Sequence, residues 1–141
     1  MQDFFSKEEK NLSHQPTPIA QACVGLNYVS EKDADVTSFT LRPVSEINAD
    51  VVLDALGLPN DSYIEEMSVE QFFARLKEQR DWFGAKEKEN AKRFGELEKL
   101  LQGSLRDLKG YRVGQVQIDI LVVGIDADGN LAGVRTEAVE T

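Results

Sequence analysis

Apolar residues recur every three or four positions between Lys86 and Leu108. Ala91, Phe94, Leu97, Leu101, Leu105 and Leu108 make one stripe, and the charges between them alternate in sign. That spacing predicts an amphipathic helix over the whole stretch. Just upstream, Ser68-Val69-Glu70-Gln71 has the form of a capping box and predicts a helix that buries Phe72, Phe73 and Leu76. The polar run Gln79-Arg80-Asp81-Trp82-Phe83-Gly84 separates the two. Thr17-Pro18 predicts another helix start, with Ile19, Cys23 and Leu26 facing inward. A further helix from Ile47 to Leu56 is stopped by Gly57.

Strand patterns fill the gaps. Val36 to Leu41 is rich in β-branched and aromatic residues and is ended by Pro43, and Tyr63 to Met67 reads as a short strand. A short strand is also compatible with Tyr111 to Val113. Val116, Ile118, Ile120 and Val122 alternate with Gln115, Gln117, Asp119 and Leu121, and the alternation drifts from polar to apolar. Such a drift predicts a strand running from the sheet edge toward cover on both faces. Asp126-Ala127-Asp128-Gly129-Asn130 is a turn, after which Leu131 to Val139 returns as the last strand. The order α-β-α-β-α-α-β-β predicts one mixed, mostly antiparallel sheet with helices on its faces and a C-terminal hairpin. Residues 1–15 are polar and aperiodic and read as a flexible arm ahead of a single domain at 16–141.

Composition narrows the class. The chain has 141 residues, 41% hydrophobic and 29% charged, which is ordinary for a globular domain. No apolar run approaches a membrane span, and Met1 to Lys7 lacks the basic and apolar regions of a secretory signal. Cys23 is the only cysteine, so no internal disulfide can form, and a reducing, cytoplasmic location is expected. The net charge of −9 disfavours direct binding to nucleic acid and favours a basic partner. The acidic excess is concentrated in residues 26–70. The basic stretch that follows coincides with the long helix and reads as a solvated face.

Catalytic signals are poor. His14, the only histidine, lies in the arm, and Cys23 faces inward, so there is no Cys/His pair and no Ser/His/Asp set on a rigid scaffold. The chain has no glycine-rich phosphate loop, no metal-spaced Cys/His cluster and no expected cofactor. Asp126 to Asn130, with Glu137 at the twelfth position, faintly resembles a calcium loop. Its glycine is fourth rather than sixth, and a hairpin turn is the better reading. Glu31, Asp33 and Asp35 are close enough for a carboxylate metal site of a hydrolase, or are simply solvated. Trp82 is either a cap over the core or an interface anchor.

The carboxyl-terminal third carries a resemblance. Tyr111-Arg112-Val113-Gly114-Gln115-Val116-Gln117-Ile118-Asp119, Val123-Gly124, Gly129-Asn130-Leu131-Ala132-Gly133-Val134, Thr136 and Val139-Glu140-Thr141 resemble the nuclease A inhibitor family. Glu89 to Lys92 with Phe94, Phe72-Phe73, Asp81-Trp82 and, more weakly, Ser30-Glu31 extend the match. The resemblance implies an α/β/α three-layer sandwich like that of the pathogenesis-related proteins. It implies a non-enzyme that binds a sugar-nonspecific ββα-metal DNA/RNA endonuclease as a monomer, in a 1:1 complex. In that family the terminal threonine approaches the nuclease's metal through water, a glutamate after the first helix meets phosphate-binding arginines, and a Gln-Asp-Trp segment packs at the rim. Carried over, these are Thr141, preceded by Glu140; Glu31; and Arg80-Asp81-Trp82. Arg80 stands where the family has glutamine, so either the cognate nuclease differs there or Arg80 points away. The alternative is an interaction module on the same fold with a non-nuclease partner.

Overall fold

The computed structural model describes residues 17–30 and 32–140. The expected arm at 1–15 and the positions of Glu31 and Thr141 lie outside the described residues.

Helix α1, Pro18–Cys23, starts where Thr17 Oγ1 accepts the Ala20 amide at 3.1 Å and Pro18 occupies the first turn. Two short strands, β1 (Asn27–Tyr28) and β2 (Ala34–Asp35), form an antiparallel ribbon that the sequence pattern did not reveal. Strand β3, Thr37–Pro43, follows. Helix α2, Ala49–Leu56, is capped by Asn48 and stopped by Gly57 at φ 72°. Strand β4, Ile64–Met67, leads into helix α3, Val69–Leu76, whose Ser68 cap accepts the Gln71 amide at 3.1 Å.

Helix α4 spans Ala85–Ser104, ending four residues short of the predicted Leu108. Leu105 caps it in extended backbone, and Leu108 belongs to β5, Arg106–Val113. The stripe was misleading because Leu105 packs in the core that α4 covers and Leu108 packs against it, so the apolar spacing continues after the helix has ended. Asp107 at φ 58°, and a register shift between Arg106 and Lys109, mark the transition. The short strand considered at Tyr111–Val113 is thus an eight-residue strand. Strands β6, Gln117–Ile125, and β7, Asn130–Val139, close the chain as the expected hairpin. Asp126 Oδ1 accepts the amides of Asp128 and Asn130, both at 2.9 Å, which makes the turn a hydrogen-bonded hairpin loop.

The main sheet has the order β3-β7-β6-β5-β4, and each of its ladders is antiparallel. One face carries Val122, Ala132 and Val134 under Leu26, Phe73, Phe94, Leu97 and Leu101 from the α1, α3 and α4 region. The other carries Tyr111, Leu121, Val123 and Leu131 under Ile47, Val52 and Leu53 around α2. Cover on both faces explains the drift along β6. Gln117 is exposed at its start, while every residue from Ile120 to Ile125 is buried. Among the described residues, no helix is long and apolar enough to cross a membrane.

Candidate partner-binding site

Three chain segments carry the candidate residues, and contacts link them in pairs. The first is the break between α3 and α4. The Phe83 amide donates to the Arg80 carbonyl at 3.0 Å, closing a tight turn that leaves Trp82 75% exposed. Its indole is therefore not a cap over the core. It meets Phe83 edge-on, with ring centres 6.2 Å apart, and Arg80 lies against it at 5.3 Å from the ring centre. Arg80 Nη2 also donates to Glu78 Oε1 at 2.9 Å, so neighbours on its own loop offset its charge. Asp81 is exposed.

The second segment follows α1. Asn90 on α4 grips β1 at two points. Its Oδ1 accepts the Asn27 amide at 3.3 Å, and its Nδ2 donates to the Asn27 carbonyl at 3.0 Å. Arg93, one turn along α4, donates to the carbonyls of Ala22 in the last turn of α1 and of Val24 just past it. These contacts hold an exposed Val29 beside the α3–α4 break, where Val29, Tyr28, Phe72, Arg80 and Phe83 line one groove of about 380 Å³. Glu31 itself is not described, but both of its neighbours are.

The third segment is the end of β7. The Val139 amide donates to the Ser30 hydroxyl at 3.3 Å, which joins the residue before Glu31 to the strand that leads to Thr141. The Glu140 amide donates to the Val116 carbonyl at 2.9 Å, and Arg112 Nη2 donates to the Glu140 carboxylate at 2.6 Å. Thr141 lies outside the described residues. The structure thus places Val29, two residues before Glu31, in one groove with Arg80 and Phe83, and separately ties Ser30 to Val139, next to Glu140.

Sequence reasoning did not single out the pins of this arrangement, which are Ser30, Asn90 and Arg112. Asn90 and Asn27 are 63 residues apart, so no local signal links them. The one available hint was that these residues sit within the stretches that carry the family resemblance.

A second groove of about 710 Å³ lies on the other flank of β7, between Asp33, Asp35, Asp119, Arg135 and Glu137. Arg135 donates to Asp119 at 3.2 Å across the strands. Among the described residues, no group of three or more His, Cys, Asp or Glu side chains could hold a metal ion. Cys23 is buried, and burial pushes its thiol up to about 11, opposed only partly by the Arg93 guanidinium. A thiol held neutral in this way is a poor nucleophile.

A tryptophan exposed on a tight turn beside an open groove, and a strand end pinned by hydrogen bonds, suit docking onto another protein better than enclosing a small molecule. The chain belongs to the nuclease A inhibitor-like protein family, whose profile matches residues 13–141. No curated protein sequence matches it.

Proposed function

We propose that this protein inhibits a sugar-nonspecific DNA/RNA endonuclease by occupying the enzyme's metal- and phosphate-binding site. Thr141 approaches the nuclease's metal through a bound water, Glu31 meets the arginines that would hold phosphate, and Trp82 packs at the rim with Arg80 and Asp81 beside it. A nuclease site presents a divalent cation and guanidinium groups arranged for an anion, so a carboxylate and a hydroxyl on a rigid support imitate its ligand. The net charge of −9 steers the inhibitor toward a basic cleft. The sheet with helices on both faces is read as the α/β/α sandwich of the pathogenesis-related proteins, and the protein as a cytoplasmic monomer that forms a 1:1 complex without catalytic activity.

The observation that carries this reading is the hydrogen bond from Val139 to Ser30, which ties the residue before Glu31 to the end of β7 in a chain of the nuclease A inhibitor-like family. The Arg80 contacts with Glu78 and Trp82 support it further, since a cation already paired on its own loop does not oppose a basic cleft. The test is titration of a sugar-nonspecific nuclease from the same source with the intact protein, with a version lacking Glu140 and Thr141, and with Glu31→Ala. The intact protein inhibits and both variants inhibit far more weakly. Equal inhibition by the shortened protein overturns the role of the strand end. Failure of the intact protein to inhibit favours an interaction module with a non-nuclease partner.

A further inference from the structure

Strand β3 follows β7 only as far as the Thr37–Arg135 pair, so residues 136–139 of β7 have no ladder partner on that side of the main sheet. Unpaired edge donors and acceptors need partners of another kind. The Thr136 hydroxyl donates to the Asp35 carbonyl of β2 at 2.9 Å, and the Val139 amide donates to Ser30 Oγ. That hydroxyl in turn donates to the Lys32 carbonyl at 2.9 Å, on the far side of Glu31. Ser30 therefore joins Lys32 to β7 through one hydroxyl.

Next to this edge, on the side facing β6, a second tie holds Glu140. Its amide is spent on Val116 and its carboxylate on Arg112, whose side chain is 23% exposed. Glu65 Oε1 stands 3.8 Å from Arg112 Nε, so two carboxylates flank one guanidinium. The Glu140 carboxylate is engaged inside the molecule and is not a free group awaiting a partner.

We propose that Arg112 and Ser30 are positioning residues for the inhibitory end. Arg112 fixes Glu140, and so the point from which Thr141 departs, and Ser30 sets the Glu31 loop relative to it. This rests on the reading of the protein as a nuclease inhibitor, and it reassigns Glu140 from a partner contact to an anchor. A segment ordered before binding loses less freedom on binding, so the gain appears in affinity. Half-exposed ion pairs contribute little to global stability, so thermal melting is nearly blind to it.

The experiment compares Arg112→Gln, Glu140→Ala, their double variant and Ser30→Ala in the 141-residue protein, and Arg112→Gln in a version lacking residues 140 and 141. Inhibition of a sugar-nonspecific ββα-metal nuclease and backbone amide hydrogen exchange are the two readouts. Arg112→Gln and Glu140→Ala each weaken inhibition about tenfold, and the double variant is no worse than either, because both break the Arg112–Glu140 contact. In the shortened protein Arg112→Gln has no further effect. The Glu140 amide exchanges about tenfold faster with Arg112→Gln, and the Val139 amide does so with Ser30→Ala, while Val122 and Val134 keep their rates. Equal weakening by Arg112→Gln with and without residues 140–141, or unchanged exchange at Glu140 and Val139, overturns the proposal. If the intact protein does not inhibit, the nuclease reading falls, and the exchange rates alone decide whether Arg112 and Ser30 hold this segment.

Discussion

The Arg80 guanidinium lies 5.3 Å from the centre of the Trp82 ring while its Nη2 donates to Glu78 at 2.9 Å. The pairing turns a misplaced cation into a support for the indole. At an exposed site such a contact contributes about 0.5–1 kcal/mol, enough to bias the ring's orientation without anchoring the fold.

Replacing Trp82 by Ala is expected to weaken nuclease inhibition by about 2 kcal/mol, roughly thirtyfold, as for a binding hot spot. Because the side chain is 75% exposed, thermal unfolding is expected to stay where it is in the parent. Arg80→Ala should give a smaller loss. An inhibition titration run beside a melting curve separates the two effects, and unchanged inhibition by Trp82→Ala would remove the α3–α4 break from the interface.

Glu98 is a buried carboxylate on α4, 6% exposed, and Lys77 reaches it at 2.6 Å from the end of α3. Lys77→Ala strands that carboxylate and is expected to cost about 1–2 kcal/mol, below the range for a fully buried pair because the lysine side chain is half in solvent. Glu98→Gln, which keeps the shape and removes the charge, should cost less. Chemical denaturation of the two variants tests the order, and a larger loss for Glu98→Gln would contradict it.

Gly133 pairs with Val123 at the centre of the sheet, and a β-carbon built on it would stand 2.0 Å from the Val122 carbonyl oxygen. No side-chain rotation relieves a clash with backbone. Gly133→Ala is expected to cost several kcal/mol, about 3 or more, and to leave little folded protein. Gly129→Ala, in the hairpin loop at φ 85° with open space around it, should cost only about 1 kcal/mol. Circular dichroism melts of both variants give the comparison.

Burial favours the neutral thiol of Cys23, so the folded protein holds that proton more tightly than the unfolded chain. The associated stability is fully present below pH 9.0, the ordinary thiol value, and is lost as pH rises toward about 11. Tyr111, raised by burial and by Glu66, adds a loss of the same sign at alkaline pH. Denaturation midpoints at pH 8 to 11 should therefore fall less steeply in Cys23→Ala than in the parent. A thiol reagent at pH 8 should label Cys23 only when denaturant is present, and fast labelling of native protein would contradict its burial.

Local chemistry was the most legible part of the sequence. Thr17, Ser68 and Gly57 signal helix ends by side-chain or backbone geometry confined to a few residues, and each acts as read. The β6–β7 hairpin was legible for the same reason, with alternation along its first arm and Asp-Gly at the turn. The end of α4 was not, because Leu105 and Leu108 keep helical spacing while serving a strand. Two-residue strands such as β1 and β2 are too short to show any period. For the candidate site, the resemblance named segments, of which the structure links the α3–α4 break to β1 and Ser30 to the end of β7. Its fastening was not legible, since the contacts of Ser30 with Val139 and of Asn90 with Asn27 span 109 and 63 residues.

Strand β7 lies between β3 and β6, and β3 has no other partner in the main sheet among the described residues. Everything from Thr37 to Pro43 must therefore wait for residues 130–135 before it can pair. On a ribosome this sets an order of events. The first hundred or so residues emerge with two main-sheet strands, β3 and β4, unpaired and both helical layers lacking the surface they cover. Closure comes in one late step of high sequence separation, which slows folding and prolongs exposure of apolar surface. A translation product that stops short of Asn130 would not be a weaker inhibitor. It would be an unfinished sheet, and a substrate for proteolysis.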